Sequence, residues 1–357
     1  MLVGCVADLV TRSVSAKSYG AVTWVNPKCT GLSSGDRTMI GNRDGQEVPA
    51  VSVNWSSMRL KNVVAAAGAA ASVLMTGIVL GSGPVTADPG AGCPTLYTVA
   101  VPGTWETGHD KDPKPGMLSG VTNGLPGEVD YVTYAATAFP WEGDVYAASK
   151  KEAVDNGRGL IAAMGARCPG TKIAITGYSQ GADAAGDLAA EIGTGHGVVP
   201  PDRIAAVALI SDPSRSPSDA QVGPIAPGAG AGGARVGGFG WVSDKVRTVC
   251  AIGDLYCSTE QTDFVTRFAG FLAQASNPNN FNPWQTQLQL GSIINDLMAQ
   301  GGLPTLQAQL AEGPDSEYAH QLEQFYRSGT HTSYGSYGVG GGQTAITWMH
   351  GWIMQNA

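Results

Sequence analysis

Gly177-Tyr178-Ser179-Gln180-Gly181 spells G-x-S-x-G, a pentapeptide in which a serine hydroxyl can serve as a nucleophile. A serine oxygen attacks poorly until a base takes its proton, so such a site also needs an imidazole and a carboxylate to orient it. The chemistry of that set is acyl transfer through a covalent serine ester. It calls for no metal and no cofactor, and none is expected here.

The pentapeptide works only between a strand and a helix, where the serine sits on a tight turn at the end of a sheet. Residues 171–175, Thr-Lys-Ile-Ala-Ile, form the expected buried strand, and residues 182–192, rich in Ala and Leu, the expected helix. Gly177 and Gly181 leave room for the turn, since a Cβ at either place would crowd it. Further strands are expected at 95–101, 129–134, 203–210 and 246–251, with a long helix at 146–166 closed by Pro169-Gly170. The Gly/Ala/Pro-rich stretch 226–240 is expected to be a surface loop. Alternating strands and helices imply an α/β fold with one doubly wound, mostly parallel sheet. With a nucleophile elbow, that is the α/β-hydrolase arrangement, in which the acid and then the histidine follow the serine along the chain.

Two aspartates stand at strand ends after Ser179. Asp254, two strands on and inside the loop Cys250-Ala-Ile-Gly-Asp-Leu-Tyr-Cys257, is the expected acid. Asp212, one strand on, is the alternative, with a turn or helix cap as its bland role. Of five histidines, His109 and His196 precede the acid. His320 falls in a polar helical stretch and His350 lies between Trp348 and Trp352 in the last helix. His331, in the loop Gly329-Thr-His-Thr-Ser-Tyr334 just before that helix, is the expected base. The turn Pro102-Gly-Thr104-Trp-Glu106 follows the first strand, where this fold keeps half of its oxyanion hole. Thr104 is the candidate there, and the N–H of Gln180 is the other half.

A formal charge of −8 argues against nucleic acid as a partner. Residues 1–57 lack domain-like periodicity and read as a non-native or disordered leader. Met58-Arg-Leu-Lys61, an apolar run 63–80 and Val85-Thr-Ala87 have the order of a secretory signal, 58–87, with translation expected from Met58 and cleavage after Ala87. The alternative is a membrane anchor through 63–80, which the run is just long enough to form. The domain proper is then 88–357. In an exported protein the cysteines should pair. Apart from the leader's Cys5 and Cys29 there remain Cys93, Cys168, Cys250 and Cys257, which allow three pairings. The short loop makes Cys250–Cys257 the natural local pair and leaves Cys93–Cys168.

The set C-P, P-G-T-W-E, C-P-G-T-K, G-Y-S-Q-G-A, C-A-I-G-D-L-Y-C and H-T-S-Y, in that order from Cys93 onward, resembles the cutinase family of serine esterases, most of all its actinobacterial cutinase-like lipases. The resemblance implies Ser179 as nucleophile, Asp254 as acid, His331 as base, Thr104 and Gln180 as oxyanion hole, and disulfides Cys93–Cys168 and Cys250–Cys257. It implies an exported ester hydrolase with a lipid or ester substrate, including envelope lipids. Two features depart from the family pattern. Pro102 stands where an Arg is usual, and the stretch from Asp254 to His331 is long, with helical segments at 263–274, 285–299 and 306–327. Within it, Leu288, Leu290, Ile293, Ile294 and Leu297 recur at near-helical spacing, as core or as a lid over an acyl-chain groove. An envelope acyltransferase using the same three residues, and a non-catalytic envelope-binding protein, are the alternative functions.

Overall fold

A computed structural model describes residues 92–107, 112–114, 116–277, 283–311 and 317–357. The leader, the 58–87 signal, the 63–80 anchor and His109 lie outside these residues.

β1 (Leu96–Val101) and β3 (Lys172–Tyr178) are short runs of apolar and β-branched residues, as is β4 (Ile204–Ile210). With β2 (Glu128–Tyr131) and β5 (Val246–Val249) they form one parallel sheet in the order β2-β1-β3-β4-β5. Its central strands are buried on both faces, which is why they read as continuous apolar runs rather than alternating ones. The pleat still sorts them. Tyr97, Val99, Val101, Ile173, Ile175, Val207 and Leu209 face one core, shared with α2 (Tyr146–Arg167) and α3 (Gln180–Gly193). Leu96, Ala100, Ala174, Ala206, Ala208 and Ile210 face the other, shared with α1 (Ser119–Thr122) and α8 (Ala345–Gln355). This is the expected doubly wound α/β-hydrolase arrangement.

Strand order reverses between β1 and β3, so the crevice at their carboxyl ends is the natural place for a ligand. The Pro102–Glu106 turn and Ser179 lie there. β2 is shorter than the sequence suggests. After Val132 donates to the Ala100 carbonyl the chain leaves the edge, and the buried Tyr134 turns its hydroxyl onto the Pro102 carbonyl at 2.6 Å.

Between β5 and the last helix come α4 (Phe264–Gln274), α5 (Pro283–Ala299), α6 (Leu303–Ala311) and α7 (Glu317–Ser328). The single helix expected at 306–327 is thus two. α4 to α6 share a small core of their own, built on Phe264, Phe271, Ile293 and Leu297. The end of α4 is tied to the start of α2, where the Ala147 N–H donates to Ser276 Oγ and Lys150 Nζ to Gln274 Oε1. A small antiparallel pair, β6 (Gly338–Gly340) and β7 (Gln343–Thr344), follows His331, and its glycine-rich sequence gave no strand signal.

Both expected disulfides are present. Cys93–Cys168 joins the entry to β1 with the end of α2, and Cys250–Cys257 closes the loop after β5. Among the described residues no helix is long and apolar enough to cross a membrane.

Candidate active site

β3 ends at Tyr178, and Ser179 turns the chain with φ 57° and ψ −126°. A side chain on such a backbone is strained and persists only where neighbours hold it. Here the Ser179 N–H donates to the Ile210 carbonyl on β4 at 2.9 Å. The Ser179 carbonyl accepts the amides of Ala182 and Asp183 and so starts α3. A Cβ on Gly177 would run into the Gly181 carbonyl, and one on Gly181 into the carbonyls of Val101 and Pro102. Both glycines are therefore required by close backbone approach, not merely tolerated.

His331 lies in a single turn, Thr330–Thr332, entered through Gly329 with φ 63°. Its Nε2 is 2.8 Å from Ser179 Oγ and its Nδ1 is 2.9 Å from Asp254 Oδ2. A carboxylate only accepts hydrogen bonds, so Nδ1 carries the proton and Nε2 offers its lone pair to the serine. Tyr178 donates its hydroxyl to the His331 carbonyl at 2.7 Å. The rings of Tyr256 and Tyr178 pack on the imidazole with centroids 4.5 and 5.2 Å away. Phe325 of α7 packs edge-on against Tyr256, so the helical insertion reaches the histidine loop.

Asp254 is fully buried in the loop that Cys250–Cys257 closes. Its Oδ2 accepts from Ser211 Oγ at 2.6 Å and from the Tyr334 hydroxyl at 2.6 Å, besides His331. Oδ1 takes the Tyr256 N–H at 3.1 Å. Burial opposes ionisation of this carboxyl, but the bonds from His331, Ser211 and Tyr334 outweigh it and hold it below the ordinary carboxylate value.

Asp212, the alternative acid, is engaged elsewhere. Its carboxylate pairs with Arg235 Nη1 at 2.9 Å and accepts the Ser214 N–H at 2.8 Å. Burial nonetheless pushes it up to about 6. Arg235, itself buried, also reaches Asp187 and Asp183. The network ties α3, through Asp183 and Asp187, to Asp212 after β4 and does not touch the imidazole. The remaining histidines are also apart: His320 is exposed on α7, His196 meets Thr194, and His350 Nδ1 lies 2.9 Å from the Val121 carbonyl.

The turn carrying Thr104 is fixed by Glu106, whose carboxylate accepts the amides of Gly103 and Met117 at 2.8 and 2.7 Å. The Trp105 amide donates to Ala136 and the Glu106 amide to Gly103. Among the described residues, the amide of Thr104 has no such partner. Gln180 buries its side chain between Ser149 and the Thr137 carbonyl. Its backbone N–H is therefore offered as the first amide of α3, at the positive end of the helix.

The structure thus brings Ser179, Asp254 and His331 into one hydrogen-bonded run. Sequence reading missed Ser211, Tyr178 and, as a partner of the acid, Tyr334. Tyr334 stands in the H-T-S-Y motif, which was its signal. Ser211 directly follows a strand beside Asp212, where the aspartate drew the attention.

The family model for cutinase matches residues 93–279, which takes in Ser179 and Asp254 and ends before His331. A carboxylesterase Culp6 homolog of Corynebacterium glutamicum is 31% identical over 202 residues, 46% of this chain and 65% of that protein. Phospholipase Culp4 of Mycobacterium tuberculosis is 33% identical over 169 residues, 44% of this chain and 68% of that protein. The chain therefore spans about two thirds of the length of these curated relatives. Among solved structures, the catalytic core of acetyl xylan esterase from Trichoderma reesei matches with a TM-score of 0.40 at 21% identity, over 51% of this chain and 97% of that one. A cutinase-like protein from Cryptococcus sp. matches with a TM-score of 0.33 at 22% identity, over 60% and 99%. With more than half of its length matched by that family model, this chain belongs to the cutinase family.

Proposed function

We propose that the protein is an exported serine carboxylester hydrolase that cleaves lipid esters through Ser179, His331 and Asp254. The observation that carries this is the run from Ser179 Oγ through the imidazole to a buried, multiply hydrogen-bonded carboxylate. His331 Nε2 takes the serine proton as Ser179 Oγ attacks the ester carbonyl. Asp254 holds the tautomer and stabilises the imidazolium. The amides of Thr104 and Gln180 receive the developing oxyanion, and such donors are worth about 2.7–4 kcal/mol each in the transition state. Protonated His331 gives its proton to the leaving alcohol. Water then attacks the acyl-serine, with His331 again as base.

Membership of the cutinase family and the relatives named carboxylesterase and phospholipase support the ester-hydrolase class. Two disulfides fit an oxidising compartment and so support export. The test is a panel of p-nitrophenyl esters of rising chain length, with phospholipid and a sugar acceptor in parallel. Free acid as product supports the hydrolase. Sugar ester as the main product replaces it with an acyltransferase, and no turnover by folded protein removes the enzyme.

A further inference from the structure

α5 is apolar on both sides. Its inner side, Leu290, Ile293 and Leu297, packs into the core with Phe264, Phe268, Phe271 and Leu272 of α4. Its outer side carries Trp284, Leu288, Ile294 and Met298, which are 67%, 42%, 44% and 66% exposed. At 100° per residue these four lie within about a third of the helix circumference. Met298 lies against Gly302, so the stripe runs on to Leu303, which is 64% exposed. The sequence pattern that suggested one stripe is thus two: a face that packs and a face that is open.

The charge pattern narrows what this face can meet. From residue 264 to residue 311 the only charged side chains are Arg267 and Asp296. They pair with each other at 2.7 Å. Among the large exposed side chains stand uncharged amides, Gln287 and Asn295. A helix that lies on anionic membranes carries Lys and Arg along its flanks, and this one has none. With a net charge of −8, an anionic surface would repel the chain as a whole. Trp at the rim of an apolar, amide-flanked face suits the boundary of an uncharged lipid phase. The helix also lies beyond the stretch that the family model matches.

We propose that the outer face of α5 docks the protein onto a lipid surface of no net charge. The docking extends the lipid-ester reading of the active site, because it would bring the enzyme to aggregated substrate. It can hold or fail independently of turnover.

The experiment is flotation of the exported form, from residue 88 onward and so without the apolar run 63–80, with phosphatidylcholine vesicles, the same vesicles containing phosphatidylglycerol, and a trioleoylglycerol emulsion. The protein should float with the first and third, and the anionic lipid should not increase binding. The double variant Trp284→Ser/Met298→Ser should lower the bound fraction about tenfold or more, because it removes two large apolar anchors. It should keep the turnover of water-soluble p-nitrophenyl acetate. Brominated phosphatidylcholine should quench tryptophan emission in the parent, and Trp284→Phe should remove most of that quenching. Equal binding by parent and double variant, or quenching that survives Trp284→Phe, overturns the proposal. So does self-association that the double variant abolishes, since a second copy would then cover the face. Loss of soluble-ester turnover in the parent, with binding intact, refutes the hydrolase and leaves the docking standing.

Discussion

The Tyr334 hydroxyl donates to Asp254 Oδ2 across 2.6 Å and accepts the Ala251 N–H at 3.0 Å. The residue three places beyond the candidate base therefore clamps the candidate acid to the strand end that carries it. Ser211 Oγ, at 2.6 Å, clamps the same oxygen from β4. A carboxylate so held keeps its charge while buried and keeps one orientation for the imidazole. Tyr334→Phe removes one clamp and should lower kcat about tenfold or more with little change in KM, since the lost contact acts through His331 and not on substrate. A fall in KM-dependent binding with kcat unchanged would argue that Tyr334 lines the substrate cleft instead.

The same clamp has a pH signature. The pKa of Asp254 is lower in the folded protein than in the unfolded chain. Its contribution to stability is therefore complete above the unfolded value of about 4 and is lost as pH falls through the folded value. Removing the Tyr334 donor raises the folded pKa and shrinks that contribution. Acid unfolding of Tyr334→Phe, followed by circular dichroism, should begin at higher pH than in the parent. An unchanged acid transition contradicts this.

Asp254→Asn tests the tautomer. An amide can present its N–H to Nδ1 and reverse the imidazole, leaving no lone pair for Ser179. The fold should survive and kcat should fall by about 10⁴. Asp212→Asn, in the Arg235 network, should fall much less in kcat. Activity that tracks Asp212 and ignores Asp254 would reassign the acid.

Arg235 sits among Asp183, Asp187 and Asp212 with 4% of its side chain exposed. Taking away the cation leaves the buried Asp212 carboxylate without a compensating charge, while Asp183 and Asp187 keep Lys150 at 3.4 and 3.0 Å. Arg235→Gln should destabilise by about 3–5 kcal/mol, read from urea unfolding. A shift below about 1 kcal/mol, within the range of surface ion pairs, would mean that water reaches this cluster.

Reduction separates the two disulfides. On chain entropy Cys93–Cys168, spanning 75 residues, contributes about 4.5 kcal/mol and Cys250–Cys257, spanning 7, about 2.5. The short one also shapes the Asp254 loop. A Cys250→Ala/Cys257→Ala variant should therefore lose more activity than stability, and Cys93→Ala/Cys168→Ala the reverse. Equal losses of both kinds in both variants would detach the short bridge from the acid.

The sheet was legible because its strands are short apolar runs punctuated by Gly and Pro. The three proposed reacting side chains were picked out by the elbow motif, by the order serine, acid, base, and by the strand-end and loop positions of Asp254 and His331. Ser211 and Tyr178 were not, because a hydroxyl that bonds across the sheet leaves no spacing along the chain. The Arg235 network was hidden for a related reason. A lone Arg in the Gly/Ala-rich stretch 226–240 looks like a loop residue, although a charge among apolar neighbours is itself a sign that partners will come from elsewhere. The near-helical stripe of α5 misled in a different way. Leu288 and Ile294 share its period with Leu290, Ile293 and Leu297, but period alone does not say which side another helix will cover.

The proposed chemistry stands on Ser179 being a nucleophile activated by His331 and Asp254. Treating the folded chain with a fluorophosphonate and mapping the adduct by peptide mass spectrometry tests this. One adduct is expected, on the peptide bearing Ser179, formed orders of magnitude more slowly in His331→Ala and absent in Ser179→Ala. No adduct on Ser179, or one formed as fast without His331, contradicts it.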